Sequence, residues 1–493
     1  MHNRLFGSVT SHRYFPVKWK RSALFVLGLA IILTNVYFAF PQYHAAQATH
    51  GSNTDTPGDW PMYMYNVGRS SYNTSETTIN QVTAPNLKQE WVTSDSSGDA
   101  IFSQPVVANG VVYWGSFDGV EHATPLNGSL DLWDQNLGST STCDPVAPSP
   151  LGVVSSAAVV NGIVYVGGGD HSLYALNAST GTILWDVPLG VAGTNTFVWD
   201  SPLVVNNNVY IGTATTGEGI TGCKLVQGQL YELNATTGQQ ENIYNIVPSG
   251  CVGGGLWSSP VYDISDDSIY FTAGTQGGNT GGTCKETNPI GIVKLNASTL
   301  QYVSSWQIPT IQRLTKDADF AGTPTLFTAN GQNMVGAVDK NGYFYAFNRA
   351  SLSNGPAWSV QIAGHGACPQ CGQGSISSAV WDGTTLYIAG GITTINGVTC
   401  GGSVRALDPT NIDPTNITFL WEECLPKTVI GAVTEVPGVI AVVDTPNLTL
   451  LNSQTGVRLF NSKNKYYGSP SISNGVLYVG SVTGHLYAFW TQP

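Results

Sequence analysis

Charge is scarce in this 493-residue chain. Only 10% of residues are Asp, Glu, Lys or Arg, and acids outnumber bases 31 to 19 for a formal net charge of −12. No run of Lys or Arg occurs after residue 21, so no basic field is available to neutralise a phosphate backbone, which argues against nucleic acid as a partner. Cofactor-type cysteine patterns are also missing. Cys368-Pro369-Gln370-Cys371 lacks the second pair that a zinc site needs, and covalent haem would require His where Gly372 stands, so a short disulfide loop is the better reading. His171, His365 and His485 are scattered over different repeats, and no His-based metal or nucleophile cluster is legible. What is plentiful is turn chemistry: 57 Gly and 26 Pro suit a large, loop-rich exported β protein better than a helical one.

The N-terminus agrees with export. Lys18, Lys20 and Arg21 precede an apolar stretch from Ala23 to Phe40, followed by Pro41 and Ala46-Gln47-Ala48, so residues 1–48 read as a signal with a small-residue cleavage site. The stretch at 23–40 is also long enough to cross a bilayer, which keeps a retained membrane anchor as the alternative. Either reading puts the body outside the cytosol, extracellular or at the cell surface, where eight cysteines favour disulfides. Residues 49–85, rich in Ser, Thr and Asn and without strand alternation, read as a linker and a lead-in around "DWPMYMYN".

Beyond the lead-in the chain repeats. "SSAAVVNGIVYVGGGDHSLYALNASTGTILWDVPLG" (155–190) is echoed by "GSPSISNGVLYVGSVTGHLYAFW" (468–490) and "SQPVVANGVVYWGSFDG" (103–119), each a strand meander with an Asn-Gly hairpin. The small residue of the first strand recurs at Pro105, Ala157, Pro202, Pro260, Pro324, Ala379, Ala432 and Pro470, at intervals of 38 to 64 residues. Eight units predict an all-β, eight-bladed β-propeller of four-stranded antiparallel blades over residues 86–493, expected to be a monomer. The last unit stops at Trp490 after three strands, which leaves an open edge. "NLKQEWVTS" (86–94) has the pattern of the missing outer strand, so the ring is expected to close by N-terminal strand donation. Trp91, Trp133, Trp185, Trp306, Trp358 and Trp421 sit in outer strands and read as packing between blades.

The repeat sorts connections onto two faces. All eight cysteines fall on one of them, together with the long insertions Gly274 to Pro289 and Gly391 to Gly402. Stapled loops on one end of a rigid scaffold are where binding usually lives. The same sorting predicts Cys400–Cys424, Cys223–Cys251 and Cys368–Cys371 disulfides, with Cys143 and Cys284 left over. On this face "DADFAG" (317–322) places two carboxylates one residue apart in a charge-poor chain.

"DWPMYMYNVGRSSYN", "GGGLWSSPVYDISDDSIYFTAG" (253–274), "DADFAGTPTLF" and "VDKNGYFYAFNR" (338–349) together resemble the pyrroloquinoline quinone (PQQ)-dependent alcohol dehydrogenases, especially the polyvinyl-alcohol dehydrogenase branch. The resemblance covers most of residues 59–490. It implies PQQ and Ca²⁺ as cofactors, Asp319 as catalytic base, Lys340 as the basic residue facing the cofactor, Trp257 as the indole floor and Glu218 as the acidic calcium ligand. Thr275 stands where the family carries an Asn ligand, and Gly222-Cys223 where it often carries adjacent cysteines. The implied reaction is oxidation of an alcohol group, of a small molecule or a polymer, with electrons leaving to an external acceptor because no haem motif is present.

Without the resemblance the same residues have plainer readings: Asp319 as a turn residue, Glu218 as a solvated loop acid, and Lys340 in "DKNG" as a hairpin residue. Trp199 in "VWDSP" holds the same repeat position as Trp257. A non-catalytic propeller of the same ancestry, serving as a binding or assembly platform, is the second function class.

Overall fold

The structure, a computed structural model, describes residues 58–95, 97–144, 149–190, 194–217, 220, 222–277, 289–315 and 317–492. All of them belong to one unit, His50–Pro493. The signal or anchor read over 1–48 lies outside the described residues, and no helix among them is long and apolar enough to cross a membrane.

Alternating apolar strands joined by tight turns make eight four-stranded antiparallel sheets, the blades of a propeller. The Asn-Gly pairs do what the hairpins require. Asn109 and Gly110 have φ of 52° and 84°, and Asn161 and Gly162 have 52° and 78°, the left-handed values that a two-residue turn of this hand needs at both positions. Inner strands such as Val106–Ala108 are wholly buried, whereas outer strands such as Ile183–Pro188 alternate between half-buried and exposed.

The apolar core lies between neighbouring blades. One cluster joins Tyr165 and Leu173 of blade two to Val209, Ile211 and Tyr231 of blade three. Outer-strand tryptophans pin each blade to the next: the indole N–H groups of Trp91, Trp133, Trp185 and Trp421 donate to the carbonyls of Leu126, Ala178, Ala235 and Ser453. Gly128, Gly181, Gly238 and Gly456 lie against those rings so closely that a Cβ would collide with them. Tryptophan therefore acts here as interblade packing, as its repeat position predicts.

The eighth blade is composite. Lys88–Ser94 pairs antiparallel with His485–Trp490, so the sheet of the last three strands gains its outer strand from the front of the propeller. The lead-in before that strand packs beneath the ring. Trp60 pairs with Val107, and the fully buried Arg69 donates to the carbonyls of Tyr63, Ser201, Pro202 and Pro260.

Two predicted disulfides are present, Cys368–Cys371 and Cys400–Cys424. The expected Cys223–Cys251 pairing is corrected: Cys223 is bonded to Cys143, with Cα atoms 5.6 Å apart. The connection that leaves blade one leans across blade two to reach the loop of blade three, a lateral reach that sequence spacing does not encode. Gly217 makes the approach possible, since a Cβ there would lie 2.5 Å from Cys223 Sγ. Cys251 is itself in a disulfide, and Cys284 lies outside the described residues.

Candidate functional site

A belt of hydroxyls surrounds the axis just ahead of the inner strands. The backbone N–H of Gln104, Ser156, Ser201, Ser259 and Thr323 each donates to the side-chain hydroxyl of the next blade, at 2.7 to 3.0 Å. The belt bounds an axial cavity of about 230 Å³ lined by residues from all eight blades, with Tyr63 of the lead-in also on its wall. Trp199 and Trp257 both line it.

Beside Trp257, blades four and five bring a charged cluster together. Asp319 sits in the connection before the strand Thr325–Ala329, and Lys340 in the tight turn that joins Gln332–Val338 to Tyr343–Asn348. Lys340 Nζ lies 2.5 Å from Asp319 Oδ2 and 2.9 Å from Asp317 Oδ2. The same ammonium sits 5.2 Å above the centroid of the Trp257 ring, within cation–π range. Thr275, at the end of the second strand of blade four, donates its hydroxyl to Asp319 Oδ1 at 2.6 Å, and its backbone N–H donates to the same oxygen. Gly274 leaves room for this approach: a Cβ would stand in tight contact, 3.0 Å from Trp257 Nε1 and 3.1 Å from Asp319 Oδ1.

Burial works against charge in this corner, and local partners decide the outcome. Burial would raise the Asp319 carboxyl, but the Lys340 ammonium and the two bonds from Thr275 hold it below the usual range, so it is ionised. Burial alone would lower Lys340; Asp319 and Asp317 outweigh it and raise the ammonium above its usual range. Asp317 is pushed up to about 6 by burial and by the neighbouring Asp319, partly offset by Lys340. Asp339, fully buried below the turn, keeps one oxygen without a partner and is held well above the usual range by burial.

Asp319, Lys340, Trp257 and Thr275, named from the resemblance, are brought together in one place, while Glu218 lies outside the described residues. Asp317 was missed as a site residue, although the Asp-Ala-Asp spacing was there to be read. The expectation that histidine joins no cluster is corrected as well: His122 meets Asp131 and Asp134 in blade one.

The residues present fit the implied cofactors. Asp317, Asp319 and Thr275 supply oxygen donors of the kind a hard divalent cation takes, and the Trp257 ring with Lys340 above it offers a flat apolar surface with a positive charge at hand.

Residues 127–271 match a family model described as outer membrane protein assembly factor BamB. The quinone alcohol dehydrogenase subunit of Gluconobacter oxydans is 29% identical over 191 residues, 36% of this chain and 24% of its own. Lupanine 17-hydroxylase [cytochrome c] of a Pseudomonas species is 24% identical over 362 residues, 65% of this chain and 50% of its own. Among solved structures, the quinohemoprotein alcohol dehydrogenase of Comamonas testosteroni superposes with a TM-score of 0.70 at 17% identity, covering 89% of this chain and 81% of that one. The chain shares the propeller fold of the quinohemoprotein alcohol dehydrogenase and is similar in sequence, over part of its length, to quinone-dependent alcohol dehydrogenases. This quinoprotein-like propeller spans at most half the length of the two curated relatives.

Proposed function

We propose that this chain is an exported quinoprotein oxidoreductase that oxidises an alcohol group, small or polymeric, and hands the electrons to an external acceptor. The observation that carries this reading is the convergence of an ionised Asp319, Lys340, Thr275 and Trp257 beside the axial cavity. The names of the curated relatives support it, and the disulfides support export.

In this reading Asp319 takes the proton from the substrate hydroxyl. Its carboxyl is ionised before substrate arrives, and Thr275 fixes Oδ1 so that the orientation is set in advance. Lys340 keeps the base charged and supplies positive charge over the indole. Trp257 provides the flat surface on which a planar cofactor rests. Asp317, Asp319, Thr275 and Glu218 are the ligand candidates for a divalent cation such as Ca²⁺, with Thr275 as a neutral donor. PQQ with its cation, when bound, supplies the acceptor for the two electrons leaving the alcohol carbon.

The test is an absorption spectrum of protein incubated with PQQ and Ca²⁺ and then gel-filtered, followed by alcohol-dependent dye reduction. A quinone chromophore that co-elutes with the chain is the expected result. If no chromophore co-elutes, the oxidoreductase reading fails in favour of an assembly platform, the reading favoured by the BamB description of the model matching residues 127–271.

A further inference from the structure

Blade one holds a cluster that alcohol oxidation does not use. His122 lies on the strand Val120–Pro125, directly across from Asp134 on the outer strand Trp133–Asn136. Its Nδ1 is 3.0 Å from Asp134 Oδ1 and 3.2 Å from Oδ2 of Asp131, in the connection between the two strands. One ligand atom from each of the three residues falls within 4.8 Å of the other two.

The surrounding hydrogen bonds fix which ring nitrogen carries the proton. The single hydroxyl proton of Ser116 goes to Asp118 Oδ1, so at His122 Nε2, 3.3 Å away, Ser116 Oγ acts as acceptor. A ring protonated on Nε2 alone turns the lone pair of Nδ1 toward two carboxylate oxygens, and a cation placed among these three atoms would satisfy all of them at once. The ring is also held in place, because Trp114 stacks on it at 3.8 Å with an interplanar angle of 8°. Asp131 is held in turn: its other oxygen accepts from Thr124 Oγ1, which accepts from Trp114 Nε1 at 2.8 Å.

This is how metal ligands are usually supported, the histidine donating its far N–H to an oxygen and the carboxylate steadied by a second hydrogen bond. Donors ~2.0–2.2 Å from a tetrahedral cation stand ~3.3–3.6 Å apart, so the two histidine–carboxylate spacings of 3.0 and 3.2 Å need to open by only a few tenths of an ångström. The pocket is open on one side, with the Asp134 side chain 57% exposed against 6% for His122. We propose that His122 Nδ1, Asp131 and Asp134 bind one first-row divalent cation of the zinc type, with solvent completing the coordination. An imidazole nitrogen beside two carboxylates selects such a cation over Ca²⁺ or Mg²⁺. Bound there, it ties the outer strand of blade one to its neighbour and stabilises the fold by mass action.

The test uses the full chain, stripped with chelator and dialysed against ZnCl₂, with metal analysis and thermal melting. About one zinc per chain should be retained, and Zn²⁺ but not Mg²⁺ should raise the Tm. Asp134→Asn and His122→Gln should each weaken zinc binding by at least about 10-fold, and Thr124→Val by about 10–100-fold through loss of ligand support. His122 is buried and its replacement can disturb folding, whereas Asp134 is exposed, so Asp134→Asn keeps the test decisive. Asp319→Asn should bind zinc like wild type. The proposal is overturned if no zinc is retained, if Asp134→Asn binds it unchanged, or if only Asp319→Asn loses it. The first two outcomes would leave His122 as a hydrogen-bonded partner of the two acids.

Discussion

Trp199 and Trp257 hold the same place in successive blades, each just ahead of its inner strand and each on the wall of the axial cavity. Their neighbours differ. Trp199 stacks on Phe197 at 4.9 Å, and the acid that follows it, Asp200, accepts from the Gly212 N–H in full burial. No cation forms an ion pair with that carboxyl among the described residues; burial holds it well above the usual range, outweighing the Gly212 N–H and the more distant charge of Arg69, so it is a neutral structural acid. Trp257 carries Lys340 over its ring, and the acid beside it, Asp319, is also largely buried but is kept ionised by that lysine and by Thr275. The repeat supplies the indole and the backbone positions in both blades. The connections supply the counter-charge, and the counter-charge decides whether a buried acid is framework or base.

The sharpest way to break this contrast is to neutralise each acid. Asp319→Asn keeps the size of the side chain but removes the proton acceptor, so alcohol-dependent turnover should fall by about 10² to 10⁴ while quinone binding persists. Asp200→Asn, replacing an acid that is already neutral, should leave turnover within assay scatter. Equal losses in both would show that the two corners do not differ in function.

A smaller effect separates loop tethering from the chemistry. The Cys143→Ser/Cys223→Ser pair opens the staple over blade three and should cost about 2–5 kcal/mol in urea unfolding. The staple does not touch the Asp319 corner, so quinone binding by the folded fraction should persist; a parallel loss of binding would show that the blade-three loop carrying Glu218 must be held in place for the site to form. Smallest is the ring itself. Trp257→Phe removes the better cation–π partner and part of the platform, worth ~1 kcal/mol or about 5-fold in quinone affinity. Trp199→Phe should leave that affinity unchanged in a fluorescence or absorbance titration.

Much of the scaffold was legible because the propeller repeats its constraints. The small residues from Pro105 to Pro470 counted the blades, and the outer-strand pattern of "NLKQEWVTS" marked a strand that proved to be Lys88–Ser94. Asp319, Lys340, Trp257 and Thr275 were named from a resemblance, since no periodicity singles out one Asp or one Trp among repeat equivalents. What stayed hidden depends on lateral geometry. Cys143 and Cys223 meet because one connection crosses a whole blade. His122 meets Asp134 only once the strand register is known, and the irregular connection between them conceals it. Asp317 was in plain view, but adjacent acids in a loop are commonly solvated. Its contact with Lys340 arises from the fold of the next turn, not from anything in the spacing.

The shared eighth blade has a consequence for the order of events in folding. Blades one to seven are runs of hairpins and nearby returns, and such contacts form early because their loops are short. The pairing of Lys88–Ser94 with His485–Trp490 encloses almost the whole propeller in one loop. Closure entropy grows only with the logarithm of length, by about 0.6 kcal/mol per doubling, so this seam is late rather than weak. Until it shuts, the strand His485–Trp490 presents an open edge that another chain can pair with. The ring cannot lock before its last strand has emerged, so during synthesis the seam acts as a latch that only a finished propeller can set.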